Sequence, residues 1–465
     1  MSHFSYQDGA LCAEQTSLNS IARQFGTPTY VYSKAALVQS FAAYADACAG
    51  RDALVCYAVK ANSNLAILNL LARQGAGFDL VSGGELQRVI AAGGDTGKCL
   101  FSGVGKSRDE MRLALEHGIL CFNVESIPEL HQLNAVAGEM GKIAPVSLRV
   151  NPNVDANTHP YISTGLKDNK FGVAFDDALA TYRTAAALPH LALVGIDCHI
   201  GSQLLDDAPL LEALDKVIEL IDALAAEGIV LHHLDIGGGI GITYDDERPV
   251  AIGAYLARLF ARIDAWRAEK HGGAPIKVLF EPGRSIVGNA GVLLTQTLYL
   301  KHGETKNFAV VDAAMNDLMR PAMYEAWHGV QAVMPRAQQA QTYDVVGPIC
   351  ESGDWLARNR ELALEARRLL CAAAGTPPPC PDGMIGSIAS VRLPDGPTTE
   401  VFWRHPDPLQ QRLFDGWGIE VPIMSWPAPP RRLVRVSAQL YNTPDHYTRL
   451  AEALAKELAA ERSAR

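Results

Sequence analysis

No Cys-x-x-Cys pair occurs among the nine cysteines, no apolar run reaches the length of a membrane span, and no stretch concentrates lysine and arginine. The first absence argues against a zinc ribbon or a dithiol redox motif, and an odd number of cysteines suits a reducing compartment. Residues 1–12 are polar and carry neither a basic segment nor a long apolar one, so no signal peptide is read there and a cytoplasmic location is expected. Asp and Glu outnumber Lys and Arg by 51 to 41, a formal charge of -10. Such a balance leaves no basic stripe and makes nucleic acid an unpromising partner. What remains is ordinary globular composition, with 48% apolar and 20% charged residues. At 465 residues the chain exceeds what one hydrophobic core usually serves, so at least two domains are expected.

Short apolar runs at residues 53–59, 144–150, 191–199, 230–236 and 276–280 alternate with amphipathic stretches at 64–74, 84–92, 126–137 and 210–227. Repeated strand and helix alternation predicts a parallel sheet, open or closed, and the number of units favours a TIM-type (β/α)8 barrel over residues 31–283. Residues 1–30 are expected to join a second domain. After Pro282 the texture changes, and residues 291–300, 308–311 and 342–346 read as strands of a β-rich domain over 284–360.

Lys60 ends the first apolar run. If that strand extends to it, Lys60 shares a face with Cys56 and Ala58 and lies in the C-terminal mouth of the barrel, where barrel enzymes place their chemistry. Desolvation there would lower its pKa and favour attack on an aldehyde as the neutral amine. A lone lysine at a strand end more often snorkels to solvent. Three later strand ends weigh against that reading. Leu234-Asp235-Ile236 runs into Gly237-Gly238-Gly239, whose backbone N–H groups can approach a phosphate closely. Phe280 leads into Glu281-Pro282-Gly283-Arg284, a carboxylate and a guanidinium flanking a turn. The run ending at Cys198 continues as His199-Ile200-Gly201-Ser202-Gln203. Each motif alone has an ordinary structural explanation: a loop, a surface ion pair, a packed histidine.

In this order, and with Tyr57-Ala58-Val59-Lys60-Ala61-Asn62, the four motifs resemble the fold-type III pyridoxal-phosphate enzymes. Within them the chain is similar to the diaminopimelate decarboxylases in Phe78-Asp79-Leu80-Val81-Ser82-Gly83-Gly84-Glu85-Leu86, His159 to Gly165, Lys170-Phe171-Gly172 and Gly347-Pro348-Ile349-Cys350-Glu351-Ser352. The likeness runs from about Gly26 to Arg360. It implies that Lys60 holds pyridoxal 5'-phosphate covalently, that Asp79 belongs to the cofactor site, and that His199 stacks on the ring. Ser202, Gly239 and Gly283 would lie around the phosphate, Arg284 would belong to the cofactor site, and Glu281 would face the ring nitrogen, strengthening the ring as an electron sink. Cys350 would deliver a proton from a second chain, which implies a homodimer. For a substrate with an amino-acid head at each end, Arg284 and Arg320 would take the distal carboxylate, Tyr324 would add a hydroxyl, and Glu351 would take the ammonium. Ornithine-type relatives instead tend to show Cys-Asp after their Gly-Pro pair.

Beyond Arg360 this resemblance stops, and the Gly-Ala-Tyr turn whose tyrosine reaches the cofactor phosphate is missing. Residues 361–374 read as an amphipathic helix closed by Gly375. A strand at 384–393, a helix at 408–416, strands at 419–425 and 432–440, and a helix at 444–462 capped by Thr443 complete an α+β tail over 361–465. Val434 to Asn442 resembles the small C-terminal domain of class V aminotransferases of the isopenicillin-N-epimerase type, with Tyr441-Asn442 a candidate substitute for the missing tyrosine. The implied arrangement is a fusion joined near residues 358–364. Three functions compete: decarboxylation of meso-2,6-diaminopimelate to L-lysine, decarboxylation of another diamino acid or a carboxylated polyamine, and cofactor binding with impaired catalysis.

Overall fold

Alternation along the first apolar run decides which way its side chains point. In the computed structural model, which describes residues 3–155, 170–270, 275–324, 326–336, 341–349, 355–396, 407–438 and 442–464, that run forms the strand Ala53–Ala58. Cys56 packs with Leu100, Cys121 and Leu279 in a small interior cluster, with Leu54 against it. Val55 and Tyr57 join the large core shared with the helices. One residue of offset thus separates barrel interior from barrel exterior.

The strands Ala53–Ala58, Gly77–Leu80, Cys99–Phe101, Cys121–Val124, Ala144–Asn151, Leu191–Asp197, His233–Asp235 and Lys277–Phe280 pair in that order, all parallel. The last returns to the first through Val278 opposite Ala53 and Phe280 opposite Val55, closing an eight-stranded barrel. Helices Leu65–Arg73, Gly83–Ala91, Arg108–Glu116, Ile127–Glu139, Phe175–Ala186, Ala208–Ala226 and Ile252–Lys270 occur between successive strands. Several starts are set by local chemistry. Ser107 and Glu110 form a reciprocal capping box, and the Ser82 and Ser126 hydroxyls accept from the backbone N–H of Glu85 and Glu129. Tyr57, Phe78, Phe101 and Phe122 are fully buried, each side chain contributing about 2–3 kcal/mol of burial to a rigid frame.

Residues 291–300, expected as one strand, form two that belong to different sheets. Gly291–Leu294 pairs antiparallel with Thr29–Tyr32, while Thr297–Lys301 pairs antiparallel with Phe308–Val311, which in turn runs parallel to Asp344–Val346. Asp312 makes the break. Its carboxylate accepts from Thr295 Oγ1 at 2.6 Å, the Gln296 N–H at 2.9 Å and Thr27 Oγ1 at 2.6 Å, pulling the chain out of one ladder and into the next. Near the N-terminus, Phe4–Gln7, Ala10–Ala13 and Thr16–Ser17 form a three-stranded sheet, and the Leu11 N–H donates to Val333 O at 2.8 Å.

The chain divides into two compact units, Met1–Gly347 and Pro348–Arg465. In the second, Ile388–Leu393, Arg432–Ser437 and Ile423–Ser425 form an antiparallel sheet with Arg432–Ser437 in the middle. Helices Trp355–Ala374 and Pro444–Ala464 supply Ala363, Ala366, Leu370, Leu454 and Leu458 to a core that includes Val391 and Val434. The first of these helices begins upstream of residue 361, where the sequence pattern alone would start it. It ends at Gly375, whose φ of +70° makes it the stop. An α/β barrel, further β-rich sheets and an α+β C-terminal region are therefore all present.

Candidate active site

Acidic side chains stand where barrel strands end. Asp197 and Asp235 are the last residues of their strands, Asp79 is the last but one of its own, Glu281 follows Phe280, and all four are buried. Carboxylate oxygens of Asp197, Asp235 and Glu281 lie within 4.8 Å of one another. Burial first, then neighbouring carboxylates, push all three acids up, Asp197 to about 7 with Glu125 and Asp79 beside it, and Asp235 and Glu281 well above the carboxylate range. Among the described residues, one oxygen each of Asp79, Asp197 and Asp235 is buried without a hydrogen-bond partner. Asn123, on the fourth strand, donates to Glu281 Oε1 at 3.3 Å.

Lys60 reaches this cluster by a different route from the one its sequence position suggests. The strand stops at Ala58, and Val59–Ala61 form a single 3-10 turn, so Lys60 does not share a strand face with Cys56. Its Nζ donates to Asp79 Oδ2 at 2.7 Å. The side chain is 52% exposed through the open mouth, yet its partner is wholly buried. The lowered proton affinity expected of Lys60 is not what this site produces. Burial alone would depress it, but the charges of Asp79 and Glu281 outweigh burial and hold Lys60 above the usual lysine range.

His199 follows the sixth strand, and its Nδ1 accepts from the Gly238 N–H at 3.3 Å. Burial, with Arg149 and Lys60 nearby, keeps its pKa well below the ordinary histidine value, so the ring is neutral. The triple glycine is required by close backbone approach. A Cβ on Gly238 would stand 2.3 Å from Glu281 O, and one on Gly239, where φ is +108°, 2.4 Å from Gly201 O. Gly283 packs against Ala58 and Ala61, beside the Lys60 turn.

Arg284 donates to Ser202 Oγ through Nε at 3.3 Å and Nη2 at 3.1 Å, and through Nη1 to the Tyr244 hydroxyl. The Arg320 guanidinium lies 4.7 Å from the Tyr244 ring centroid and 5.5 Å from that of Tyr324. Burial and the neighbouring Arg284 lower the Arg320 pKa below the usual guanidinium range.

Residues 34–288 match the family model for pyridoxal-dependent decarboxylases, pyridoxal binding domain. The chain belongs to this family. It is 60% identical over 370 residues to a diaminopimelate decarboxylase of Pseudomonas aeruginosa, covering 80% of this chain and 87% of that protein. It is 55% identical over 371 residues to one of Vibrio cholerae, again covering 80% and 87%. Among solved structures, it resembles diaminopimelate decarboxylase from Helicobacter pylori complexed with L-lysine, at TM-score 0.68 and 44% identity over 72% of this chain and 82% of that one. It also resembles diaminopimelate decarboxylase from m. jannaschii in co-complex with L-lysine, at TM-score 0.71 and 36% identity over 75% of this chain and 82% of that one.

For a member of the pyridoxal-dependent decarboxylases, the sequence motifs land unevenly. Lys60, Asp79, His199 and Glu281 interact electrostatically across one mouth, and Ser202, Arg284, Arg320 and Tyr324 form a neighbouring group around Tyr244. Cys350, Glu351 and Tyr441 lie outside the described residues, as does the segment His159 to Gly165. The signature around Ser82 to Glu85 does structural work, since it caps a helix and Glu85 accepts from the Val81 N–H at 2.7 Å. Arg149 was missed. It stands 5.0 Å over Phe171, 3.6 Å from Glu125 and 3.9 Å from Asp197. An arginine inside the apolar run Val146 to Val150 was the available signal, as were the acids Asp197 and Asp235 at the ends of apolar strands. Asn123 and Tyr244 carried no comparable signal.

Proposed function

We propose that the chain decarboxylates meso-2,6-diaminopimelate to L-lysine and carbon dioxide, using pyridoxal 5'-phosphate. The observation that carries this reading is the pair Arg284 and Arg320 beside the Lys60 mouth, because a substrate with a second carboxylate needs a cationic site that a simple diamine acid does not. The names of the relatives agree with it.

The mouth fits the cofactor on its own terms. Buried acids outnumber the cations among them, three of their oxygens lack partners, and a cationic ring nitrogen would supply what they lack. The N–H groups of Gly237 and Gly238 are taken by Asp235 and His199, but Gly239 carries no side chain to keep a phosphate from its backbone, and Ser202 and Arg284 are adjacent, which suits a phosphate. When bound, the cofactor supplies an electron-withdrawing ring that takes up the charge left at the α-carbon as carbon dioxide departs. Glu281 would hold the proton shared with the ring nitrogen. Neutral His199 would cover one ring face and exclude water. Lys60 must give up its proton before it can bind the aldehyde, and Asp79 at 2.7 Å is the nearest acceptor. By resemblance, Cys350 returns a proton to the α-carbon and Glu351 takes the distal ammonium, both from a second copy of the chain, so a homodimer in the cytoplasm is part of the reading.

A second reading is a cofactor-binding protein with slow turnover. It is favoured by Leu298, Tyr299 and Leu300, which stand exposed on a strand of the β-rich sheet, and by the end of the sequence resemblance near Arg360. The visible absorption of the purified protein before and after borohydride, followed by carbon dioxide release from meso-diaminopimelate, ornithine and lysine, tests both. A borohydride-sensitive band with release from diaminopimelate alone is expected. A band without release leaves only the second reading, and no band removes both.

A further inference from the structure

Tyr244 belongs to no motif that the sequence singles out, yet its position is held from every side. The loop carrying it follows the triple glycine. Just upstream, Gln203 clamps Ile242 with both ends of its amide, donating to Ile242 O at 2.6 Å and accepting from the Ile242 N–H at 3.1 Å. Just downstream, Glu247 accepts from the backbone N–H of Tyr244 and of Asp245, each at 2.7 Å. The His328 ring meets Tyr244 edge-on, with centroids 5.5 Å apart and planes at 81°.

Two cations converge on this ring. The Tyr244 hydroxyl accepts from Arg284, and the ring face meets the Arg320 guanidinium at 4.7 Å. The contacts of Arg284 among the described residues are to Ser202 and Tyr244, both neutral, and Arg320 Nε is buried without a hydrogen-bond partner. Among the described residues these two like charges have no anion between them, and a tyrosine is suited to keep them there. Its oxygen lone pair orients one guanidinium while its π face offsets the charge of the other.

We propose that Tyr244 is a positioning residue for an anion subsite, holding Arg284 and Arg320 side by side to receive the carboxylate at the far end of a dicarboxylic substrate. The identity of that substrate rests on the proposed function; the subsite itself does not. Tyr244→Phe removes only the acceptor for Arg284 and is expected to raise the KM for meso-diaminopimelate about tenfold, the usual scale for a hydrogen bond to a charged group. Tyr244→Leu also removes the ring face and is expected to add roughly another three- to tenfold. Inhibition by 1,5-diaminopentane, which carries both amines and no carboxylate, is expected to change less than about twofold in both variants. Binding of pimelate to the cofactor-loaded protein, read by calorimetry, tests the subsite without turnover, and affinity is expected to fall in parallel with the rise in KM.

Equal weakening of 1,5-diaminopentane and diaminopimelate would reduce Tyr244 to a structural residue and overturn the proposal. Pimelate binding that is unchanged in Tyr244→Phe and Tyr244→Leu, or absent from the unmodified protein, overturns it as well. If the unmodified protein does not decarboxylate diaminopimelate but loses pimelate binding in the variants, the proposed function fails and the role of Tyr244 stands.

Discussion

In the C-terminal unit Arg432 donates to Asp407 at 2.7 Å and to Glu461 at 2.5 Å, and Arg412 continues the chain to Glu461 at 2.6 Å and Glu457 at 2.8 Å. At the barrel mouth, by contrast, Asp79, Asp197, Asp235 and Glu281 are buried with Lys60 and Arg149 as the cations among them, and three carboxylate oxygens have no partner. A buried ion pair adds little net stability, but a buried charge left alone costs several kcal/mol. The C-terminal unit limits that cost by pairing, with one Asp407 oxygen left without a partner among the described residues, whereas the mouth limits it by holding acids in their protonated form. Perturbed, underpaired groups mark the place where an incoming charged ligand gains most.

The largest effect expected from this contrast is at Lys60. Lys60→Ala should abolish the borohydride-sensitive absorption band and lower decarboxylation by at least about 10³-fold. A band that persists would mean that the mouth does not bind the cofactor through this amine.

A smaller effect is expected in the other unit. Arg432→Met leaves Asp407 buried without its cation and should lower the stability of the C-terminal unit by about 3–5 kcal/mol, read by denaturant unfolding. The absorption band should survive this change. Its loss would show that the two regions are not functionally separate and would break the comparison.

The smallest effect is a pH dependence. Asp197 keeps its proton in the folded chain up to about pH 7, whereas in the unfolded chain it ionises near 3.8. Between those values the folded state binds more protons, so this group contributes stability that is present at low pH and lost as pH rises through about 7. In the cofactor-free protein, Asp197→Asn should therefore flatten the fall of the thermal midpoint between pH 4 and 7, by a few degrees at most. An unchanged slope would place the titration elsewhere in the acidic cluster.

Much of the frame was legible from the chain alone. Strand alternation at residues 53–58 separates Cys56 from Tyr57 because the backbone period is two, a property of covalent geometry that needs no partner. The strand-end motifs pointed to Lys60, His199, Glu281 and Arg284 for the same local reason, since polar groups that interrupt apolar runs at their ends must lie at a rim. What only the tertiary structure decided is the company these residues keep. Pairing of the first two strands sets Asp79 opposite Ala58 and within 2.7 Å of Lys60, reversing the expected proton affinity, and the tertiary fold puts both Arg284 and Arg320 on Tyr244. Asp312 splits what reads as one strand into two by bonding Thr295, Gln296 and Thr27. Local pattern encodes burial and direction; charge neighbourhoods come from contacts between positions far apart in the chain, and no periodicity records them.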